Sequence, residues 1–321
     1  MRRRLRALVA AFSALPLALA VAPSAHAADP TTMTSGFYVD PDSSVKRWTA
    51  ANPGDGRTSA INAAIANTPM AHWFGSWSGT IGTATGAYVG AADSQDRLPI
   101  LVAYNIYNRD YCGGHSAGGA ASPSAYASWI AQFAGGVAGR PAIVLLEPDS
   151  LADYGCMTQA QIAERQGMIT GALTQFNRQA PNTWVYLDAG NPNWASPATM
   201  AQRLNDAGLR QAHGFSLNIS NYYTTAENIA YGNAVNSELG ARYGYTKPFV
   251  VDTSRNGNGS NGQWCNPPGR RIGTPTQKGG GAEMLLWIKT PGESDGNCGV
   301  GSGSSAGQFL PEVAYKMIYG Y

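Results

Sequence analysis

The chain has 321 residues, only 13% of them charged, with 39 glycines, 16 tyrosines and eight tryptophans. Its net charge of +2 includes Arg2, Arg3, Arg4 and Arg6; without those four it becomes about −2, which argues against nucleic acid or an acidic membrane surface as a partner. Such a weakly charged, aromatic-rich and loop-rich surface suits an uncharged polymer.

In chain order, residues 1–27 read as a secretory signal peptide. The four arginines form a basic n-region, residues 7–21 an apolar core, and Ala25-His26-Ala27 a small-x-small cleavage pattern. A retained anchor is the alternative, but the apolar run is short for a membrane span. Residues 28–321 suit one large α/β domain or two small ones, with enough chain to bury a substantial core. No repeat, charge block or Pro/Ser/Thr linker follows, so a single domain without an appended carbohydrate-binding module is expected, secreted and monomeric.

From residue 37 onward a grammar repeats: a short apolar strand, then a polar residue at its C-terminal end. Phe37-Tyr38-Val39 ends in Asp40, residues 98–103 in Tyr104-Asn105, and residues 143–146 in Glu147-Pro148-Asp149. Val185-Tyr186-Leu187 ends in Asp188, Phe215-Ser216-Leu217 in Asn218, Phe249-Val250-Val251 in Asp252, and residues 284–288 in Lys289. Continuous apolar runs of this kind fit strands buried on both faces. Between them, residues 122–133, 158–176, 196–207 and 225–239 carry helical apolar spacing and open with Ser or Thr as N-caps. The alternation predicts an α/β fold: a distorted, incompletely closed parallel barrel, with a doubly wound open sheet as the alternative. Either architecture builds its site at the C-terminal strand ends. Residues 253–281 lack apolar periodicity and hold Trp264; a loop this long is expected to be functional or disordered, and a Cys265 bridge argues for order.

Four cysteines in a secreted chain predict disulfides, with three possible pairings. Zinc is the competing reading, but no C-x-x-C half-site exists. Cys112–Cys156 and Cys265–Cys298 are favoured because each staples one long loop, contributing about 3–4 kcal/mol.

Four carboxylates sit at or just beyond strand ends: Asp110, Asp149, Asp188 and Asp295. Converging on one mouth, they would repel one another and raise at least one pKa. A carboxylic acid still protonated near neutral pH is what departure of a glycosidic leaving group requires. Each taken alone fits a helix cap or a loop-amide acceptor; four together, beside Trp and Tyr, favour chemistry. No strand leads into a G-x-S-x-G elbow, and the histidines form neither H-E-x-x-H nor a cluster. The glycine-rich Asn256-Gly257-Asn258-Gly259 and Gly279-Gly280-Gly281 precede no helix that would make them phosphate cradles.

Ile143-Val144-Leu145-Leu146-Glu147-Pro148-Asp149-Ser150-Leu151 resembles the acid-bearing signature of glycoside hydrolase family 6. Further similar blocks run in the same order: residues 102–110, Leu187-Asp188-Ala189-Gly190, Ser220-Asn221-Tyr222, residues 252–259 and residues 289–296. The resemblance implies a distorted barrel of about seven strands that cleaves β-1,4-glucan with inversion, using neither metal nor cofactor. It implies Asp149 as general acid, Asp110 as the neighbour that raises its pKa, and Asp295 as the base, directly or through water. Arg255 and Lys289 become charge partners of the base, Asp188 a supporting carboxylate, and Tyr104 the ring that distorts the reacting sugar. Trp73, Trp264, Lys289 and Glu293 match glucose-subsite residues, joined by Trp194 and Asn221. The family's two sequential disulfides agree with the pairing above.

Departures from the family pattern stand at Tyr107, at Tyr111 (inserted before Cys112) and at Asn191, where many members have His. The insertion leaves Ser116 or Ala117 where a water-orienting serine often stands. The short glycine-rich segment 296–307 leans toward an open cleft and endo cutting. The alternatives are an exo-acting cellobiohydrolase, a non-catalytic β-glucan-binding protein, and a hydrolase of another β-1,4-linked polymer such as glucomannan.

Overall fold

The structure is a computed structural model that describes residues 28–113, 116 and 118–321. The expected signal peptide, residues 1–27, and Ala117 lie outside the described residues. Eight strands form one sheet: β1 (His72–Phe74), β2 (Ile100–Ala103), β3 (Ala142–Leu146), β4 (Thr183–Asp188), β5 (Gly214–Leu217), β6 (Phe249–Asp252), β7 (Gln277–Lys278) and β8 (Met284–Leu286). The order is β1-β2-β3-β4-β5-β6-β8-β7, with every pair parallel except β7–β8. The sheet curls until β1 approaches β8. One backbone hydrogen bond, Ala71 N–H to the Trp287 carbonyl at 2.9 Å, crosses the seam without forming a ladder. The result is the expected incompletely closed barrel: seven parallel strands plus a two-residue antiparallel edge.

Strand side chains divide with period two. Ile100, Val102, Ile143, Leu145, Tyr186, Val250, Met284 and Leu286 fill the interior. Leu101, Ala103, Val144, Leu146, Val185, Leu187, Phe215, Leu217, Val251 and Leu285 face the helices. Both faces are buried, which is why the strands read as continuous apolar runs. A third cluster around Val45, Ile61, Ile65, Met70, Trp287 and Ala314 packs the terminal helices together.

The helices are α1 (Ser44–Ala51), α2 (Thr58–Ile61), α3 (Ile81–Asp93), α4 (Pro123–Val137), α5 (Gln159–Gln179), α6 (Pro197–Asp206), α7 (Thr225–Tyr243) and α8 (Pro311–Tyr319). The four expected helices are present as α4 to α7. Ser122, Thr158 and Ser196 each accept the N–H of the third helical residue as N-caps. In α7 the cap is Thr224, not Thr225, and it closes a capping box with Glu227.

One expectation about strands needs correction. Phe37-Tyr38-Val39 makes only a single parallel bridge, Phe37 to Leu98, rather than a strand. The first barrel strand is His72–Phe74 instead, three residues too short to show a period. The 253–281 segment is irregular apart from β7 and is tied down by Cys265–Cys298 (Cα–Cα 6.0 Å). Cys112–Cys156 (Cα–Cα 5.7 Å) clamps the β2 and β3 loops, matching the favoured pairing.

Candidate active site

The C-terminal ends of β2, β3 and β4 bring four expected residues together. Asp149 follows β3 through Glu147-Pro148 and adopts φ +70°; Glu147 and Asp110 also adopt left-handed backbone, at +51° and +52°. Such conformations cost about 1–3 kcal/mol each in non-glycine residues and persist only where neighbours over-determine them. The neighbours are visible. The Asp149 N–H donates to Asp188 Oδ2 at 2.9 Å, and the Tyr104 hydroxyl donates to Asp149 Oδ2 at 3.3 Å. Ser116 N–H donates to Asp110 Oδ2 at 2.5 Å.

Asp149 is half-buried among its neighbours. Burial, then the negative charges of Asp188, Asp110 and Asp153, push it well above the usual carboxylate range; the Tyr104 hydroxyl offsets only part. Burial raises Asp188 as well, opposed by the N–H groups of Asp149, Gly190 and Ala189. Asp149 is therefore a carboxylic acid that can hold its proton near neutrality.

Across the mouth, beyond β5, β6 and β8, a second group has the opposite electrostatics. Arg255, fully buried, donates to both oxygens of Asp295 at 3.0 Å. The Tyr222 hydroxyl and the Asn266 N–H each add a bond at 3.1 Å, and Lys289 Nζ stands 3.9 Å away. Burial pushes the Asp295 carboxyl up, but Arg255 and Lys289 outweigh it and leave the group below its ordinary value. Asp295 is therefore held as a carboxylate near neutral pH.

Trp73 joins the two groups. Its indole N–H donates to the Ile288 carbonyl at 2.8 Å, its ring meets Tyr104 edge-on at 5.2 Å, and Lys289 Nζ lies 5.9 Å from it. The other expected sugar contacts lie on the loops that follow β4, β5, β6 and β8. Trp194 lies exposed with its ring over Gly190, where an added Cβ would come within 2.3 Å of it. Trp264 is exposed beside Cys265. Glu293 accepts the Ser44 hydroxyl at 2.6 Å, and the Asn221 amide donates to the Ile219 carbonyl at 3.0 Å.

The departures are absorbed locally. Tyr111 exposes its ring, receives the Gln161 amide on its hydroxyl at 2.7 Å, and donates its N–H to Asp153 at 2.9 Å. The Tyr107 carbonyl accepts from Arg165 at 3.4 Å. Asn191 is wholly buried and accepts the Asn193 N–H at 3.0 Å, bracing the turn that carries Trp194.

Sequence reasoning missed the residues that hold these loops. Asp252 accepts four backbone N–H groups, from Ser220 (2.9 Å), Ser254 (2.9 Å), Ile288 (3.3 Å) and Lys289 (3.2 Å). Glu147 accepts those of Asn105 and Ile106 at 2.9 Å, and burial pushes it up to about 7. Both stood at strand ends in the repeating grammar, and that position was the signal. Tyr222 stood in a block that resembles the family but without a role of its own, and Asn266 carried no signal.

Comparison with known proteins shows the family. The model of the Glycosyl hydrolases family 6 matches residues 32–319. Endoglucanase 1 of Streptomyces halstedii is 83% identical over 321 residues, covering all of both chains. Endoglucanase A of Thermobispora bispora is 42% identical over 98% of this chain and 67% of its own. The solved endoglucanase Cel6 from Mycobacterium tuberculosis, in complex with a methyl-cellobiosyl-4-deoxy-4-thio-β-D-cellobioside, superposes with a TM-score of 0.82 at 38% identity, over 91% of this chain and 99% of that one. With a family match over nearly its whole described length, the chain belongs to glycosyl hydrolase family 6.

Proposed function

We propose that the chain is a secreted, monomeric endo-β-1,4-glucanase that hydrolyses cellulose or related β-glucans with inversion. The carrying observation is the pair of opposed carboxyl environments: Asp149 held protonated, Asp295 held ionised. Asp149 donates its proton to the departing glycosidic oxygen as general acid. Asp110 supplies the negative charge that keeps that proton on, and Asp188 fixes the Asp149 backbone.

Tyr104, with the Arg109 guanidinium stacked 4.1 Å behind its ring, presses the reacting sugar toward the flattened transition state. Water attacks from the opposite face. Asp295, already accepting from Arg255, Tyr222 and Asn266, is a weak base, so it orients the water and takes its proton as positive charge builds on the sugar. Trp73, Trp194, Trp264, Asn221, Lys289 and Glu293 line the glucan's course. The exposed rings of Trp194 and Trp264 support an open cleft and internal cutting. Two disulfides support an oxidising, extracellular setting.

The test is a time course on carboxymethyl cellulose that follows viscosity and reducing ends, with the first-formed anomer read by NMR. Endo action gives a rapid viscosity fall with few new ends, and inversion gives the α-anomer. A β-anomer or constant viscosity would refute the reading.

A further inference from the structure

Trp77 is the most exposed tryptophan that touches the site's periphery, at 58% exposure. Single exposed apolar side chains need no explanation, but this one is held. It lies in the turn after β1, closed by Ser78 N–H to the Gly75 carbonyl (3.0 Å) and Gly75 N–H to the Ser78 hydroxyl (3.1 Å). The ring folds back over Gly75, where an added Cβ would come within 2.4 Å of it. The Arg109 guanidinium stands 5.6 Å from the ring.

Arg109 is itself fixed. Only 8% exposed, it donates to the Tyr104 carbonyl (2.7 Å) and the Ser116 carbonyl (2.8 Å). Its guanidinium lies 4.1 Å from the Tyr104 ring, whose hydroxyl touches Asp149. Trp77, Arg109 and Tyr104 thus form one stack running outward from the acid. Its outermost member is a ring held in place by Gly75 and Arg109 and still more than half exposed.

We propose that Trp77 is an additional glucan-binding platform, stacking on a glucosyl unit farther along the chain than the one pressed by Tyr104. The occupant follows from continuity with the site, since the turn after β1 opens on the same rim of C-terminal strand ends as Tyr104 and Arg109 links the two rings, and sugar CH faces pack on exposed apolar rings. A pre-positioned aromatic gives contact area at little entropic cost. The inference rests on the glucanase reading above.

The experiment compares kcat/KM for cellohexaose and cellotetraose in wild type, Trp77→Ala and Trp77→Phe. The platform predicts that the hexaose-to-tetraose ratio falls about tenfold in the alanine variant and is largely kept by phenylalanine. An unchanged ratio overturns the proposal. So does an equal loss on both substrates, which would make Trp77 a prop for Arg109. A wild type that cleaves neither oligosaccharide defeats the glucanase reading instead. Calorimetric titration of cellohexaose into Asp149→Ala, with and without Trp77→Ala, then decides the platform alone: weaker binding supports it, equal binding ends it.

Discussion

At Asp149 and Asp295 the same residue type is driven in opposite directions by its neighbours. Burial acts on both, but Asp149 faces Asp188 and Asp110, whereas Asp295 faces Arg255 and Lys289. The acid works only while protonated, so activity is lost as pH rises through its elevated pKa. The base works only while ionised, so activity is lost as pH falls through its depressed pKa. Replacing Asp110 by Asn removes one negative neighbour and should move the alkaline limb of kcat/KM to lower pH while leaving the acid limb in place. A pH–rate profile on soluble β-glucan checks this, and an unmoved alkaline limb would deny Asp110 its role. These two aspartates were legible in the sequence because each follows a strand in a distinctive run. The contacts of Tyr222 and Asn266 to Asp295 were not, because they join segments far apart in the chain.

At the level of elements, the loops are organised by buried carboxylates reaching to neighbouring strand ends. Glu147 after β3 holds the β2 loop, Asp188 in β4 holds Asp149, and Asp252 in β6 holds residues after β5 and β8. Asp252→Ala would strand four backbone donors, and we expect a loss of about 3–5 kcal/mol in urea unfolding, with activity falling as Lys289 and Ser220 shift. The exposed pair Glu238–Arg242 gives the contrast: Glu238→Ala should cost no more than about 0.5 kcal/mol. The barrel strands from β2 to β6 and helices α4 to α7 could be read from apolar runs and Ser/Thr caps. β1 and β7 could not, since three and two residues carry no periodicity. Helix α3 was missed too, in a Gly- and Ala-rich stretch whose N-cap Thr80 makes no side-chain bond.

For the whole molecule, the site is a local cost to stability. Asp149 binds its proton more tightly folded than unfolded, so its contribution is favourable at low pH and is lost as pH rises toward the folded value. Asp149→Asn cannot ionise; it should raise Tm by about 2–4 °C at pH 8 and have no such effect below about pH 4, by calorimetry. Tm that falls equally at both pH values would contradict the raised pKa. The sharpest test of the account is leaving-group dependence in Asp149→Ala. General-acid catalysis predicts a loss of about 10²–10⁴-fold on β-glucan, but a far smaller loss on 2,4-dinitrophenyl cellobioside, whose leaving group needs no proton. Equal losses on the two substrates, or full activity on β-glucan, would show that Asp149 is not the proton donor.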